Sequence, residues 1–221
     1  MKKVSILIAT AAFIGGVFFV SSCKKDDTGN PVVSLKNDDA AHNRVTQFSA
    51  ATYTDPGATA TDDTDGNLTP TVSGSVNMGS AGEYTLTYTA TDAAGNKTDA
   101  VRKVTVDGAL YIASYTYTAT DYPDGGVTGT PWQETITPSS VTNNKINFQR
   151  FADYNNGIAY GTIAGVVITI PTQTVTCGTT PVARQFSGSA TFSSGFTSFT
   201  INYTEVTNGT TATGHTTYVK N

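Results

Sequence analysis

The chain has 221 residues, a formal net charge of −4 at pH 7 and only 14% charged residues. This acidic balance argues against nucleic-acid binding, which depends on basic patches with interleaved aromatic residues. The length that remains after removal of a leader suffices for one large or two small domains. Abundant threonine, tyrosine, valine and glycine favour short strands joined by tight turns, so we expect almost no helix after residue 23.

The first 22 residues have the pattern of a signal peptide. A basic start, Met1–Lys3, precedes the uncharged run Val4–Val20, which is shorter than the roughly 20 apolar residues of a membrane-spanning helix and typical of a secretory h-region. Val20-Ser21-Ser22-Cys23 resembles a lipobox. That resemblance implies cleavage before Cys23 and acylation of its thiol, for example by palmitate. The alternative is an ordinary cleaved signal peptide followed by a chance cysteine.

Residues 23–30 form a short polar tether. Within it, Lys24-Lys25-Asp26-Asp27 resembles the export signal of Bacteroidetes-type surface lipoproteins. The resemblance implies the outer face of the outer membrane, and an acylated cysteine with two or more chains would suffice for stable anchoring. The alternative interpretation of the four charges is a solvated linker.

Residues 31–107 have the pattern of short strands expected of a β-sandwich. In Glu83–Thr91 apolar residues and threonines follow each other with period two, which indicates a half-buried strand. The stretch Ser80–Leu86 predicts a tyrosine corner, with the Tyr84 hydroxyl bonded to the backbone upstream and Leu86 in the core. The expected strands are Pro31–Leu35, Thr46–Phe48, Gly57–Thr61, Thr69–Ser75, Glu83–Thr91 and Asp99–Val106.

Three motifs connect this unit to a known type of domain. Tyr53–Ala58, Asp62–Thr69 and Gly82–Asn96 resemble bacterial immunoglobulin-like domains of the pesticidal-crystal-protein and hyalin-repeat type. The resemblance implies an immunoglobulin-like β-sandwich with a spacer or adhesive role and no catalytic site.

Residues 108–221 predict a second all-β unit, an antiparallel barrel or sandwich. Its short candidate strands are separated by turns containing glycine, asparagine and aspartate. The segments Val166–Gln173 and Thr200–Thr204 resemble C-terminal β domains of Bacteroidetes-type lipoproteins of unknown function. This resemblance implies no particular activity. The expected strands are Leu110–Ala119, Trp132–Thr137, Lys145–Phe151, Gly157–Thr162, Gly165–Ile170, Gln173–Thr176, Arg184–Phe192, Thr197–Glu205 and Ala212–Val219.

One acidic stretch is a candidate calcium site. Asp62, Asp63, Asp65 and Asn67 supply oxygen ligands, and Asp92 lies at the end of another expected strand. Calcium takes six to eight oxygens, so roughly half of a ligand set is present. The alternative is turn chemistry, because Asp and Asn bond their own backbone and tolerate left-handed geometry. No other cofactor is expected.

Aromatic side chains could offer a flat surface for sugars. Trp132 and Tyr154 lie next to expected turns and are the candidate ligand-binding rings. The alternative is that they belong to the core, as the alternation along the strands predicts for most aromatic residues of this unit.

No catalytic residue is assigned. His42 and His215 lack an accompanying nucleophile motif, and Glu134 with Asp153 is a conceivable carboxyl pair without a spacing that requires it. Cys177 has no readable neighbouring base, so its thiol is expected to be inert.

The first functional hypothesis is a non-catalytic surface lipoprotein that binds glycans or assists nutrient capture, attached to the membrane through its lipid. The alternative is a structural or adhesive protein whose partner is another surface protein. A hydrolase ranks third, because it requires a cleft with paired carboxyls.

Overall fold

The computed structural model describes residues 26–221, so the signal segment, Cys23 and the start of the tether lie outside the described residues. Strands dominate this part of the chain, with two short helices at Ala40–Asn43 (α1) and Gly108–Ile112 (α2). No helix between residues 26 and 221 has the length and apolarity needed to cross a membrane.

Residues 31–107, here called the N-terminal unit, form two small sheets. One has the order β1-β3-β4 and the other β2-β7-β6-β5. Neighbouring strands are antiparallel except for β2 and β7, which pair in parallel. The strands are β1 Val32–Leu35, β2 Arg44–Thr46, β3 Ala58–Asp62, β4 Gly66–Leu68, β5 Thr71–Ser73, β6 Gly82–Thr91 and β7 Lys97–Asp107.

The alternation predicted for β6 is confirmed. Leu86, Tyr88 and Ala90 are buried on one face, while threonines occupy the other face. The tyrosine corner is also present, since the Tyr84 hydroxyl donates to the carbonyl oxygen of Ser80 at 2.7 Å. This bond fixes the entry into β6 and thereby the register of the strand that carries the core residues.

The second unit is one nine-stranded antiparallel sheet with the order β10-β11-β12-β13-β14-β15-β16-β8-β9. Its strands are β8 Tyr117–Pro123, β9 Trp132–Glu134, β10 Thr137–Pro138, β11 Lys145–Phe148, β12 Ala159–Ala164, β13 Val167–Cys177, β14 Val182–Thr191, β15 Ser198–Thr207 and β16 Thr210–Lys220.

This sheet curls back on itself. Its edge strands β9 and β10 follow each other in the chain, separated only by residues 135–136, so the two edges must lie close together. Inward residues of the strands, among them Phe148, Phe186, Ile201 and Tyr218, are essentially inaccessible to solvent and form one continuous core. Of the two predicted architectures, the single curled sheet is barrel-like.

Two details of the expected elements were wrong. The start of the predicted strand Leu110–Ala119 is helix α2, which begins because the Asp107 side chain accepts hydrogen bonds from the amides of Ala109 and Leu110. This cap stabilises the first turn against the period-two pattern of the tyrosines that follow. Strand β4, Gly66–Leu68, was not among the expected strands.

The N-terminal unit covers one end of the curled sheet. Ala81 and Gly165 exchange two backbone hydrogen bonds of 2.9 Å across the junction. The Phe48 ring packs edge-on against Tyr111 with 5.0 Å between centroids, and the buried Gln47 side chain donates to the carbonyl oxygen of Gly165. The two units are therefore joined by direct packing as well as by α2, and the opposite end of the curled sheet remains free of the N-terminal unit.

Candidate functional site

The free end of the curled sheet carries a cavity of about 290 Å³, here called the distal cavity. It forms where β8 and β15 end, where β16 begins, and where the loop after β11 folds over the opening. Its polar lining includes three carboxylates, two tyrosines and one threonine, namely Asp121, Asp153, Glu205, Tyr154, Tyr203 and Thr213. Small sheets that close on themselves present their ligand sites at such openings.

Asp121 lies at the inner wall of the distal cavity and is only 4% exposed. One carboxylate oxygen accepts a hydrogen bond from the Tyr203 hydroxyl at 3.0 Å, and the other accepts from the Thr216 hydroxyl at 2.7 Å. Burial raises the pKa of Asp121 above its usual range despite these two donors, and the charge of Asp153 adds to the effect. The carboxyl group of Asp121 is therefore an oriented part of the wall.

Glu205 organises the other side of the cavity. Its carboxylate forms an ion pair with Arg184 and accepts from the Tyr154 hydroxyl at 3.0 Å and the Thr207 hydroxyl at 2.6 Å. The guanidinium of Arg184 lies 4.1 Å above the Tyr154 ring. Burial and the nearby Glu205 charge raise the pKa of Tyr154 to about 12, so its hydroxyl remains a hydrogen-bond donor at neutral pH.

A second cavity of about 340 Å³ adjoins the first and shares Asp153 and Tyr154 with it. Its other wall is built by the turn between β13 and β14 together with Arg184. Asp153 and Tyr154 thus lie between two neighbouring depressions.

The raised pKa of Asp121 predicts that the free energy of unfolding depends on pH. Because the native state holds this proton more tightly than the unfolded chain, the corresponding stabilisation is complete below the ordinary carboxyl pKa of 3.8 and is lost as the pH rises through the higher native value. Asp121→Asn removes this titration. We expect the free energy of unfolding of the wild type, relative to that of Asp121→Asn, to fall as the pH rises above the ordinary carboxyl pKa of 3.8. Urea unfolding of both proteins at a series of pH values measures it, and parallel pH curves would contradict it.

The candidate ring Trp132 does not lie on the surface. Its side chain is only 8% exposed, its indole N–H donates to Glu134 at 2.9 Å, and the Arg150 guanidinium covers the ring at 4.7 Å. Trp132 points inward from β9, so the neighbouring turn does not expose it, and it offers no free face for a sugar. Tyr154, by contrast, lines both cavities.

The conceivable carboxyl pair is not brought into one cleft. Asp153 lines the distal cavity, whereas Glu134 is 1% exposed and is not part of its lining. Glu134 accepts hydrogen bonds from the Trp132 indole and from the Gln149 amide at 2.6 Å. Burial raises the pKa of Glu134, and these bonds oppose the shift. Its position indicates a structural role beneath the loop that carries Asp153.

The candidate calcium residues separate into two groups. Asp62 and Asp63 come close together, and the tether residue Asp27 joins them. Asp65 and Asp92 are not part of this carboxylate cluster, and Asn67 lies in β4. Asp65 instead accepts from the Ala93 amide at 2.6 Å, and Asp92 is held by Asn96.

The cysteine and the two histidines of the described residues have local structural contacts. Cys177 is buried at 1% exposure, and burial raises the pKa of its thiol, as expected for an unreactive cysteine. The His42 ring contacts Asp39 at 2.7 Å, and the His215 ring stacks on Tyr122 with 4.9 Å between centroids.

Three residues of the distal cavity were not singled out from the sequence: Asp121, Tyr203 and Glu205. The alternation of inward and outward residues along β8 and β15 contained a signal for two of them. Asp121 continues the inward series of Tyr117 and Ala119, and Glu205 continues that of Ile201 and Tyr203. An acidic residue at an inward position near the end of a strand indicates either a buried ion pair or a lined opening.

Comparison with known proteins identifies the N-terminal unit. Residues 41–106 match the family model described as bacterial surface protein, Ig-like domain. The solved structures include a similar chain, the lipoprotein BT2262 from Bacteroides thetaiotaomicron, at 14% identity and a TM-score of 0.31, with 85% of this chain and 98% of that chain covered. No curated protein sequence gives a significant match.

The family match agrees with the two facing sheets of the N-terminal unit and with its tyrosine corner. It also supports a location at the cell surface. Residues 41–106 of this all-β protein are therefore similar to the Ig-like domains of bacterial surface proteins.

Proposed function

We propose that the protein is a non-catalytic glycan-binding lipoprotein, anchored in the outer membrane through Cys23 and exposed on the cell surface, where it assists nutrient capture. The observation that carries the proposal is the pair of cavities on either side of Asp153 and Tyr154. They lie at the end of the curled sheet that faces away from the Ig-like domain. The lipobox-like Val20–Cys23 supports the anchor.

The chemistry of the distal cavity suits a hydroxyl-rich ligand. Carboxylates accept hydrogen bonds from sugar hydroxyls, and so can the oxygens of Tyr154 and Tyr203, whose own protons are donated to Glu205 and Asp121. The Tyr154 ring is half-buried and has Arg184 over one face, so the ligand would meet its edge and hydroxyl. Two adjacent depressions favour an oligosaccharide over a single small sugar.

The hydrogen bonds within the wall favour binding over hydrolysis. A glycosidase places one carboxyl as proton donor and another as nucleophile or base on opposite sides of the scissile bond. Here Asp121 is held by Tyr203 and Thr216, and Glu205 is paired with Arg184. Because both carboxylates are held by donors of the protein, they support a fixed recognition surface.

The proposal is tested on a glycan array with the wild type, Asp153→Asn and Tyr154→Ala. Loss of either side chain is expected to weaken binding about tenfold, which corresponds to about 1.4 kcal/mol. Tyr122→Ala is the matched control, because this tyrosine is 38% exposed on the same sheet and lines neither cavity. Equal binding by all four proteins would reject the distal cavity. Binding to no polysaccharide, together with repeated capture of one surface protein, would favour the adhesive alternative.

A further inference from the structure

Three acidic side chains meet where the tether passes the Ig-like domain. Asp27 lies in the segment before β1, whereas Asp62 and Asp63 lie where β3 turns into β4. Each offers one carboxylate oxygen, and the three oxygens lie within 4.8 Å of one another. Two ligands of one calcium ion, each at about 2.4 Å, can be at most about 5 Å apart, so the spacing is compatible with a shared ion.

Two carboxylate oxygens in this cluster are buried without a donor. Asp62 is only 9% exposed. Its Oδ1 accepts from the amides of Thr64 and Asp65 at 2.9 Å, and the Oδ1 of Asp27 accepts from the Gly29 amide at 3.0 Å. The Oδ2 atoms of Asp62 and Asp27 have no hydrogen-bond partner among residues 26–221. An unsatisfied buried carboxylate oxygen is costly, and a cation compensates for both at once.

The surroundings hold the tether segment in place for such an ion. The Asn96 side chain donates to the Asp27 carbonyl oxygen at 3.2 Å, and Asn96 is itself fixed by Asp92. A Cβ at Gly29 would lie 2.9 Å from Asp63 Oδ1, so glycine allows the backbone to approach the cluster. In the described part of the chain, none of the three carboxylates forms an ion pair with lysine, arginine or histidine.

We propose that Asp27, Asp62 and Asp63 bind a calcium ion that fastens the tether to the Ig-like domain. The three ligands are all hard carboxylate oxygens, with none of the imidazole or thiolate groups that favour zinc. Flexible carboxylates suit the six to eight oxygens of calcium better than the strict octahedron of magnesium. Water molecules complete the shell. The ion fixes the tether at Asp27 against the turn between β3 and β4. Asp92 acts through Asn96 as a positioning residue.

Calorimetric titration of the chelator-treated full chain with calcium chloride tests the site. The wild type is expected to bind calcium with a dissociation constant of about 10⁻⁴ to 10⁻³ M, the range of extracellular modules. Asp27→Asn and Asp62→Asn should each weaken binding by about tenfold or more. Asp65→Asn is the matched control in the same turn, and its affinity should stay within about twofold of the wild type.

Because Asp62→Asn also alters the turn, Asp27→Asn is the decisive variant, and hydrogen exchange supplies a second measurement. Calcium should slow amide exchange in residues 26–32 of the wild type and leave that segment of Asp27→Asn unchanged. The absence of calcium binding by the wild type overturns the proposal. So does calcium binding that keeps its affinity in Asp27→Asn, since the tether would then supply no ligand.

Discussion

Replacing Arg102 by methionine is expected to destabilise the Ig-like domain by about 3–5 kcal/mol, the cost of breaking a buried charged network. Arg102 is completely buried on β7. Its guanidinium donates to the carbonyl oxygens of Lys36 at 2.6 Å and Gly57 at 3.2 Å and to Asn43 Oδ1 at 3.0 Å. Methionine fills similar space but donates no hydrogen bond to these partly buried acceptors, although the Gly57 carbonyl oxygen still accepts from the Lys36 amide. The loss is a large fraction of the roughly 5–15 kcal/mol that stabilises a typical domain.

The measurement for Arg102 is hydrogen exchange of β6 and β7 peptides, because it reports on the Ig-like domain alone. Lys103→Met is the matched control, since Lys103 is exposed on the same strand and its loss should change stability by less than about 0.5 kcal/mol. Similar exchange in the two variants would show that the guanidinium is not needed to hold β1, β3 and α1 against β7.

Replacing Asp107 by alanine is expected to cost about 3–5 kcal/mol and to uncouple the two units. Asp107 is completely buried where β7 meets α2. One carboxylate oxygen accepts from the amides of Ala109 at 2.8 Å and Asn144 at 3.2 Å, and the other forms an ion pair with Arg44 at 2.6 Å. A single side chain thus caps α2, pairs with β2 and holds the loop between β10 and β11.

Two optical signals separate the units in this experiment. Trp132, the single tryptophan of the chain, is packed within the curled sheet and reports on that unit by fluorescence. Far-ultraviolet circular dichroism follows both units. The two thermal transitions should coincide in the wild type and separate in Asp107→Ala, while the exposed control Asp99→Ala on the same strand should behave like the wild type. Coincident transitions in Asp107→Ala would show that the remaining packing at the junction suffices for coupling.

The features that could be predicted from sequence are those set by neighbours in the chain. The alternation of apolar residues and threonines predicted the strand Glu83–Thr91, and the spacing of Ser80 and Tyr84 predicted the tyrosine corner. Both features depend on local backbone geometry. Helix α2 was missed, since its cap by Asp107 competes with a strand-like pattern and is decided by contacts with Asn144 and Arg44 from elsewhere in the chain.

The distal cavity was only partly predictable, for the same reason. Tyr154 was identified as a candidate, but its partner Glu205 is 51 residues away in sequence, and Asp121 meets Tyr203 across a separation of 82 residues. The acidic cluster combines Asp62 with Asp27 from the tether, which local spacing cannot reveal. Trp132 was misplaced because proximity to a turn does not determine the face of a strand on which a side chain lies.

The most direct test of surface glycan capture is a crystal structure of the protein with the strongest ligand from the array. We expect the glycan to span the two cavities at the free end of the curled sheet, with its hydroxyls within hydrogen-bond distance of Asp153 and Tyr154. A glycan bound instead in the groove of Asn202 and His215 on the outer face of the sheet, or on the Ig-like domain, would contradict this account.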